Sequence, residues 1–148
     1  IREAAIRTNA GELVGMCVGG TMTGKVCPGT GCGAGSNCIN ALPLGGFGVH
    51  VSQNATDYIV FADLNNNLAY DAGEEARVGK IINTGTVSVS GFSTGGASLN
   101  ISFRPPRPTG YINGATSVSF VNILLRHRFL QETRTVHFER VSGSVGVQ

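Results

Sequence analysis

The sequence has no tryptophan, only 14% charged residues, and no apolar segment approaching the roughly 20 residues that a membrane-spanning helix needs. It also lacks the glycine-rich motifs that bind nucleotide phosphates and the Gly-x-Ser-x-Gly motif of serine hydrolases. The three histidines, His50, His127 and His137, lie in strand-like runs with no nucleophile signature beside them. The sequence therefore indicates no catalytic residues, and we expect a protein that is not an enzyme.

Glycine is abundant instead, with 22 in 148 residues, and valine, isoleucine, threonine and serine are interspersed with asparagine. This composition favours short strands and turns over long helices, and the length fits one domain. We expect a mostly β protein with a proline-rich break from Arg104 to Thr109. Strands are predicted at residues 12–18, 47–52, 58–62, 76–82, 86–90, 98–103, 117–125 and 133–140.

The first residues differ in character from the rest. Residues 1–11 contain alanines and isoleucines compatible with a helix, a stop signal at Asn9 and Gly11, and no N-cap ahead of Ile1. We interpret them as the end of a helix that begins upstream. The chain is thereby divided into a helix remnant, residues 1–11, and a β-rich head domain, residues 12–148.

Cysteines and glycines concentrate in a long loop from Gly19 to Gly46, which holds three of the four cysteines. A loop of this length inside a domain is usually functional or pinned. No C-x2-C spacing for zinc occurs, so disulfides in an oxidising compartment are favoured over metal-bound or free thiols. Four cysteines allow three pairings. We favour Cys27 with Cys32, which closes a short Pro-Gly-Thr-Gly turn, and Cys17 with Cys38.

The segment from Tyr58 to Ile82 reads as strand, acidic turn, strand. Oxygen-bearing side chains occupy offsets 1, 3, 5, 9 and 12 of the turn, as in an EF-hand calcium loop. Leu68 stands at position 6, where an EF-hand needs glycine, and the flanks are strands. Asn and Asp also stabilise turns by bonding nearby backbone groups, so a structural hairpin is the first interpretation and Ca²⁺ the second. The candidate ligands are Asp63, Asn65, Asn67, Asp71 and Glu74.

Positive charge is uneven, because residues 101–148 carry six arginines against two glutamates. Solvated arginines on strands explain this bias without a ligand. The alternative is that the basic third of the chain binds DNA or another anion, since non-specific binding needs only charges that neutralise phosphates. The candidate contacts are Arg126, Arg128 and Arg134.

Four segments together resemble the type IV pilin-like proteins of the GspH/FimT group, the minor pseudopilins of type II secretion and minor pilins of type IV pili. They are the helix tail Arg2–Ala10, the strand with Cys17, the acidic hairpin, and the closing strand Thr133–Glu139 with residues 142–145. The hairpin is the most specific, because this family repeatedly has a phenylalanine-containing strand entering an Asp/Asn turn that ends in Asp-x-Gly-Glu. Members that bind DNA use a Gly-Arg-x-Arg motif, and the matching residues 143–146, Gly-Ser-Val-Gly, have neither arginine.

The resemblance implies an α+β, mostly β, pilin-like fold in which the end of the truncated N-terminal helix packs on antiparallel sheets. It implies a non-enzymatic subunit that assembles with other pilins or pseudopilins at a filament tip. The missing helix would anchor the protein in the inner membrane, facing the periplasm or a cell-surface filament. The loop Gly19–Gly46 and the segment Arg104–Thr109 are the candidate contact surfaces. The competing hypotheses are a DNA- or surface-ligand-binding module and a calcium-binding secreted adhesin.

Overall fold

Eleven β-strands in three antiparallel sheets form the fold of the described residues. The computed structural model describes residues 14–28, 31–81, 86–104, 109–142 and 144–147. The strands are β1 (Val14–Val18), β2 (Asn37–Ala41), β3 (Gly46–Ser52), β4 (Asp57–Asp63), β5 (Glu75–Lys80), β6 (Val87–Phe92), β7 (Ser98–Arg104), β8 (Thr109–Ile112), β9 (Phe120–His127), β10 (Thr133–Glu139) and β11 (Val145–Val147). A single 3-10 turn, Gly20–Met22, is the helical element among these residues.

Two of the sheets pack on each other and make the core. The larger has the strand order β5-β4-β3-β7-β8 and the smaller β11-β10-β9-β6. Alternate residues of both sheets enter one apolar cluster, in which the Phe103 and Phe138 rings meet edge to face at 6.0 Å. An apolar pocket of about 170 Å³, partly open to solvent, lies beside the cluster and is lined by Val51, Tyr58, Ile81, Val89, Ile123, Leu125 and Val136.

The expected α+β fold, with a helix packed on the sheets, is wrong. The described residues contain no α-helix, and each large sheet buries its apolar face against the other. Since an amphipathic sheet has one face to bury, the partner sheet takes the place expected for a helix. The predicted helix remnant, residues 1–11, lies outside the described residues, so the division at residue 12 stays a prediction. No helix among the described residues has the length and apolar character needed to cross a bilayer.

The mostly β prediction is confirmed, and most predicted strands are present with shifted ends. The strand predicted at 117–125 runs instead from Phe120 to His127. Three strands were missed: β2, which lies inside the predicted loop Gly19–Gly46, β8 and β11. All three are short, and β2 contains two asparagines, which disfavour strands. Residues 105–108 of the proline-rich segment lie outside the described residues.

A small two-stranded sheet, β1 with β2, carries the cysteines. Both predicted disulfide pairings are wrong, although all four cysteines are in disulfides. The bonds join Cys17 to Cys32 and Cys27 to Cys38. The reason is the path of the chain after β1. The Cys27 N–H donates to the Gly15 carbonyl at 2.8 Å. Cys27 therefore lies beside β1, within bonding reach of Cys38 on β2.

Gly15 leaves room for Cys27 beside β1. A Cβ at this position would lie 2.9 Å from the Sγ of Cys38 and 3.0 Å from the Sγ of Cys27, closer than such atoms approach in proteins. The missing side chain therefore leaves the space that the Cys27–Cys38 bond occupies. The two disulfides also lie side by side, with the sulfurs of Cys27 and Cys32 3.5 Å apart.

This connectivity predicts a specific peptide map. Digestion of the unreduced protein at acid pH, where thiolate exchange is suppressed, should recover Cys17 linked to Cys32 and Cys27 linked to Cys38. Electron-transfer fragmentation can assign the bonds within linked peptides. Recovery of a Cys27–Cys32 bond would instead restore the pairing expected from the sequence.

Candidate functional site

The connection between β4 and β5, residues 63–75, is the candidate site and is called here the acidic loop. It does not extend the hairpin as a ladder but folds back over the outer face of the larger sheet. The ring of Tyr70 lies 4.8 Å from the ring of His50 and 6.0 Å from that of Phe61. Phe61 is consequently fully buried, although it faces away from the main core.

Two buried carboxylates hold the ends of the acidic loop. Asp63, which has no exposed surface, accepts hydrogen bonds from the backbone N–H groups of Asn67 (3.1 Å) and Leu68 (2.7 Å). Glu74 is 3% exposed and accepts from the N–H groups of Leu64 (3.0 Å) and Asp71 (3.2 Å). Each carboxylate therefore bridges residues at different points of the loop, and together they fix its path.

The other predicted ligands form an exposed layer above these carboxylates. The side-chain amides of Asn65 and Asn67 both donate to Oδ2 of Asp71, at 2.7 and 2.6 Å. Their amide oxygens accept the N–H groups of Asn67 and Ala69. The structure thus brings all five predicted ligand residues into one hydrogen-bonded turn, as the sequence spacing indicated.

Leu68 adopts the conformation that the sequence comparison with EF-hands assigned to glycine. Its φ is 62°, in the left-handed region, and Asn66 two residues earlier has the same φ. A left-handed leucine costs roughly 1–2 kcal/mol. The Leu68 N–H donates to Asp63 and its carbonyl accepts from Ser102 Oγ at 3.0 Å, and these bonds hold it there. The absence of glycine at position 6 is therefore no obstacle to the turn.

The buried carboxylates of the acidic loop, Asp63 and Glu74, form no salt bridge within the described residues, although the side chain of Lys25 lies beside Gly73. The salt bridge between Lys80 and Asp57 lies outside the acidic loop. Burial raises the pKa of Glu74 above its usual value, the charges of Asp63 and Asp71 add to the rise, and two backbone N–H groups partly oppose it. Burial, together with the neighbouring Glu75 carboxylate, also raises the pKa of Tyr70 to about 12.

The side-chain oxygens of Asp63, Asp71 and Glu74 do not converge on one point. Within the described ranges, only Cys17, Cys27 and Cys32 place three potential ligand atoms within 4.8 Å of one another, and disulfides occupy those sulfurs. The amide nitrogens of Asn65 and Asn67, not their oxygens, face Asp71. In this conformation the loop satisfies its own polar groups, and the cation hypothesis stays a prediction.

His50 and His137 form hydrogen bonds to neighbouring polar side chains. His50 bonds Asn100 Oδ1 at 2.9 Å and Ser52 Oγ at 3.1 Å. A hydroxyl, an imidazole and an amide are thus bonded in series, the order in which a hydrolase arranges its catalytic groups. Asn100 Oδ1 also accepts the Tyr70 N–H, and this bond fixes the acidic loop to the sheet. His137 bonds Asn122 in the same manner. The sequence did not reveal the link between His50 and the acidic loop, because the two are distant along the chain.

The three predicted anion contacts lie outside the acidic loop, around the turn between β9 and β10. Arg126, Arg128 and Arg134 are all exposed there. The same turn exposes Phe129 and Leu130 by 71% and 66%. Sequence reasoning noted the arginines and missed this apolar pair, for which the only signal was two large apolar residues between predicted strands.

No protein-family model matches the chain, and no curated protein or solved structure matches it significantly. The pilin-like resemblance accordingly stays a prediction that rests on the sequence motifs.

The hydrogen bonds of Asp63 predict a large effect of its removal. Asp63→Ala leaves the half-buried Leu68 N–H without its acceptor and the Asn67 N–H with Asn65 Oδ1 alone, and we expect a loss of about 1–3 kcal/mol in the free energy of unfolding. Asp71→Ala is the matched control, because it removes a carboxylate bonded only to exposed amides and should cost less than about 1 kcal/mol. Urea denaturation measures both values, and equal losses would contradict the assigned roles.

The cation prediction has its own test. A bound Ca²⁺ would offset the repulsion among Asp63, Asp71 and Glu74, so calcium should raise the melting temperature at pH 7. The rise should shrink as the pH falls towards 5, because protonation of Glu74, favoured by its raised pKa, competes with the ion. It should also shrink in the Asp71→Ala variant. A melting temperature that is indifferent to calcium, with no heat in a calorimetric titration, would end the hypothesis.

Proposed function

We propose that the chain is a non-enzymatic structural subunit of a filament, a minor pilin or pseudopilin of a type IV pilus or type II secretion system. The observation that carries the proposal is the acidic loop. The residues of the most specific pilin-like motif, the phenylalanine of the strand and the Asp and Glu that bound the turn, are those that build this cap on the larger sheet. The motif thus has a structural purpose here, as expected of a subunit that presents a rigid surface.

The cysteines support a location outside the cytoplasm. All four are paired, and disulfides persist in oxidising compartments such as the periplasm and the cell surface. Closing loops with separations of 15 and 11 residues stabilises the β1–β2 hairpin by about 3 kcal/mol per bond in the chain-entropy account. The disulfides can in this way hold a two-stranded hairpin, which is marginal by itself, in one conformation.

The β1–β2 hairpin and the connection to β3 also supply a contact surface for a neighbouring subunit. Four large apolar side chains are exposed there, Val18 (40%), Ile39 (45%), Leu42 (53%) and Leu44 (68%). Exposed apolar residues grouped on a rigid element are typical of protein interaction sites. This surface lies within the loop that the sequence indicated, Gly19–Gly46, or at its border.

The test is complementation of a gene deletion in the organism that carries this gene. Deletion should reduce piliation, type II secretion or DNA uptake, and the unaltered gene should restore it. A Leu42→Glu, Leu44→Glu double variant should fail to restore it while keeping the normal melting temperature, because both side chains are exposed. Val78→Glu, at a 59% exposed valine of β5, is the control that should complement.

A deletion without phenotype in any of these assays would refute the proposal. Full complementation by the double variant would refute only the assignment of the contact surface.

A further inference from the structure

The turn between β9 and β10 presents two adjacent large apolar side chains to solvent, Phe129 and Leu130. This pair is called here the Phe129–Leu130 tip. At 71% and 66% exposure, neither side chain contributes to the core. A single exposed apolar residue is common, but two neighbours at the apex of a hairpin form a small apolar projection.

The backbone of the turn holds this projection in place. The N–H groups of Phe129 and Leu130 both donate to Nδ1 of His127, at 3.3 and 3.1 Å. The Gln131 N–H donates to the His127 carbonyl at 3.0 Å, and the Gln131 side chain donates to the Arg128 carbonyl. Because the polar groups of the turn bond to one another, the apolar pair is directed outward by an ordered turn.

Positive charge surrounds the Phe129–Leu130 tip. Residues 126–134 carry three arginines against one glutamate, a formal net charge of +2 that equals the charge of the whole chain. All three arginines are exposed, and none forms an ion pair within the described residues. The guanidinium of Arg128 lies 5.9 Å from the centre of the Phe129 ring, so cation and apolar group are immediate neighbours.

We propose that the Phe129–Leu130 tip docks on the surface of an anionic lipid membrane. Phenylalanine and leucine are side chains that enter the boundary between headgroups and acyl chains, and flanking arginines bind the anionic headgroups. Single-stranded nucleic acid fits the same charge less well, because a strand is held by stacking on aromatic rings and leucine cannot stack. The arrangement of an apolar apex inside a basic rim is the one that a lipid surface complements.

The absence of tryptophan provides a direct probe of this docking. A Phe129→Trp variant carries one fluorophore at the apex and keeps its apolar character. With vesicles of phosphatidylcholine and phosphatidylglycerol at low salt, its emission should shift to shorter wavelength as the indole leaves water. With phosphatidylcholine alone the shift should be much weaker. Phe120→Trp is the matched control, because Phe120 is 49% exposed at the opposite end of β9 and should show no shift.

Second variants, made in the Phe129→Trp background, separate the two contributions. Leu130→Asp should weaken vesicle binding roughly tenfold, because it replaces an apolar side chain with a charge of the same sign as the lipid. Changing Arg126, Arg128 and Arg134 to Gln should remove the preference for anionic vesicles, at roughly fivefold per arginine. Circular dichroism and melting curves should be unchanged for all variants, since the altered side chains are exposed.

Three results would overturn the proposal. One is the absence of a shift for Phe129→Trp, and another is an equal shift for Phe120→Trp. The third is tighter binding of a single-stranded oligonucleotide than of anionic vesicles, which would identify nucleic acid as the partner of the basic turn. Docking by this tip does not depend on the proposed role in a filament, because vesicle binding is measured on the isolated chain.

Discussion

Burying two carboxylates without a cationic partner is the constraint on which the acidic loop and the outer face of the larger sheet depend. A carboxylate taken out of water needs hydrogen bonds in compensation, and Asp63 and Glu74 obtain four of them from backbone N–H groups. Those groups are in reach only when the loop lies flat on the sheet. Neighbouring glycines make the space, since a Cβ at Gly45 would lie 1.7 Å from the Asp63 carboxylate and one at Gly48 would lie 2.4 Å from the Phe61 ring.

The sequence predicts correctly those strands whose own pattern of apolar residues indicates which face is buried. β3 alternates in apolar character and β4 is a run of apolar residues, because both strands face a core. Both lie at nearly the predicted positions. The pattern does not indicate which element packs against the buried face. The apolar faces of the sheets are compatible with either a helix or a second sheet, so the predicted helix on the sheet could not be distinguished from the sheet pair that the structure has.

Disulfide pairing escaped prediction for a related reason. Cys17 and Cys38 stand opposite each other in the hairpin register, as the predicted pair would, yet each bonds to a cysteine of the intervening loop. The pairing of the cysteines depends on contacts between residues that are distant in sequence. The Val26 N–H donates to the Gly73 carbonyl of the acidic loop at 2.7 Å, and this brings Cys27 to β1. Spacing along the chain contains no information about that contact. Conversely, the five acidic-loop residues could be grouped from spacing, because they lie within one turn.

The acidic loop and the turn that carries the Phe129–Leu130 tip connect to opposite ends of β4. β4 ends at Asp63 beside the acidic loop and begins at Asp57 near Ala55, which bonds to Val89 of β6. The adjacent Val87 pairs with His127, at the base of the Phe129–Leu130 tip. The lipid contact proposed for the Phe129–Leu130 tip and the protein contact proposed for the β1–β2 hairpin therefore use different elements, because the hairpin adjoins the acidic loop through the bond from the Val26 N–H to the Gly73 carbonyl.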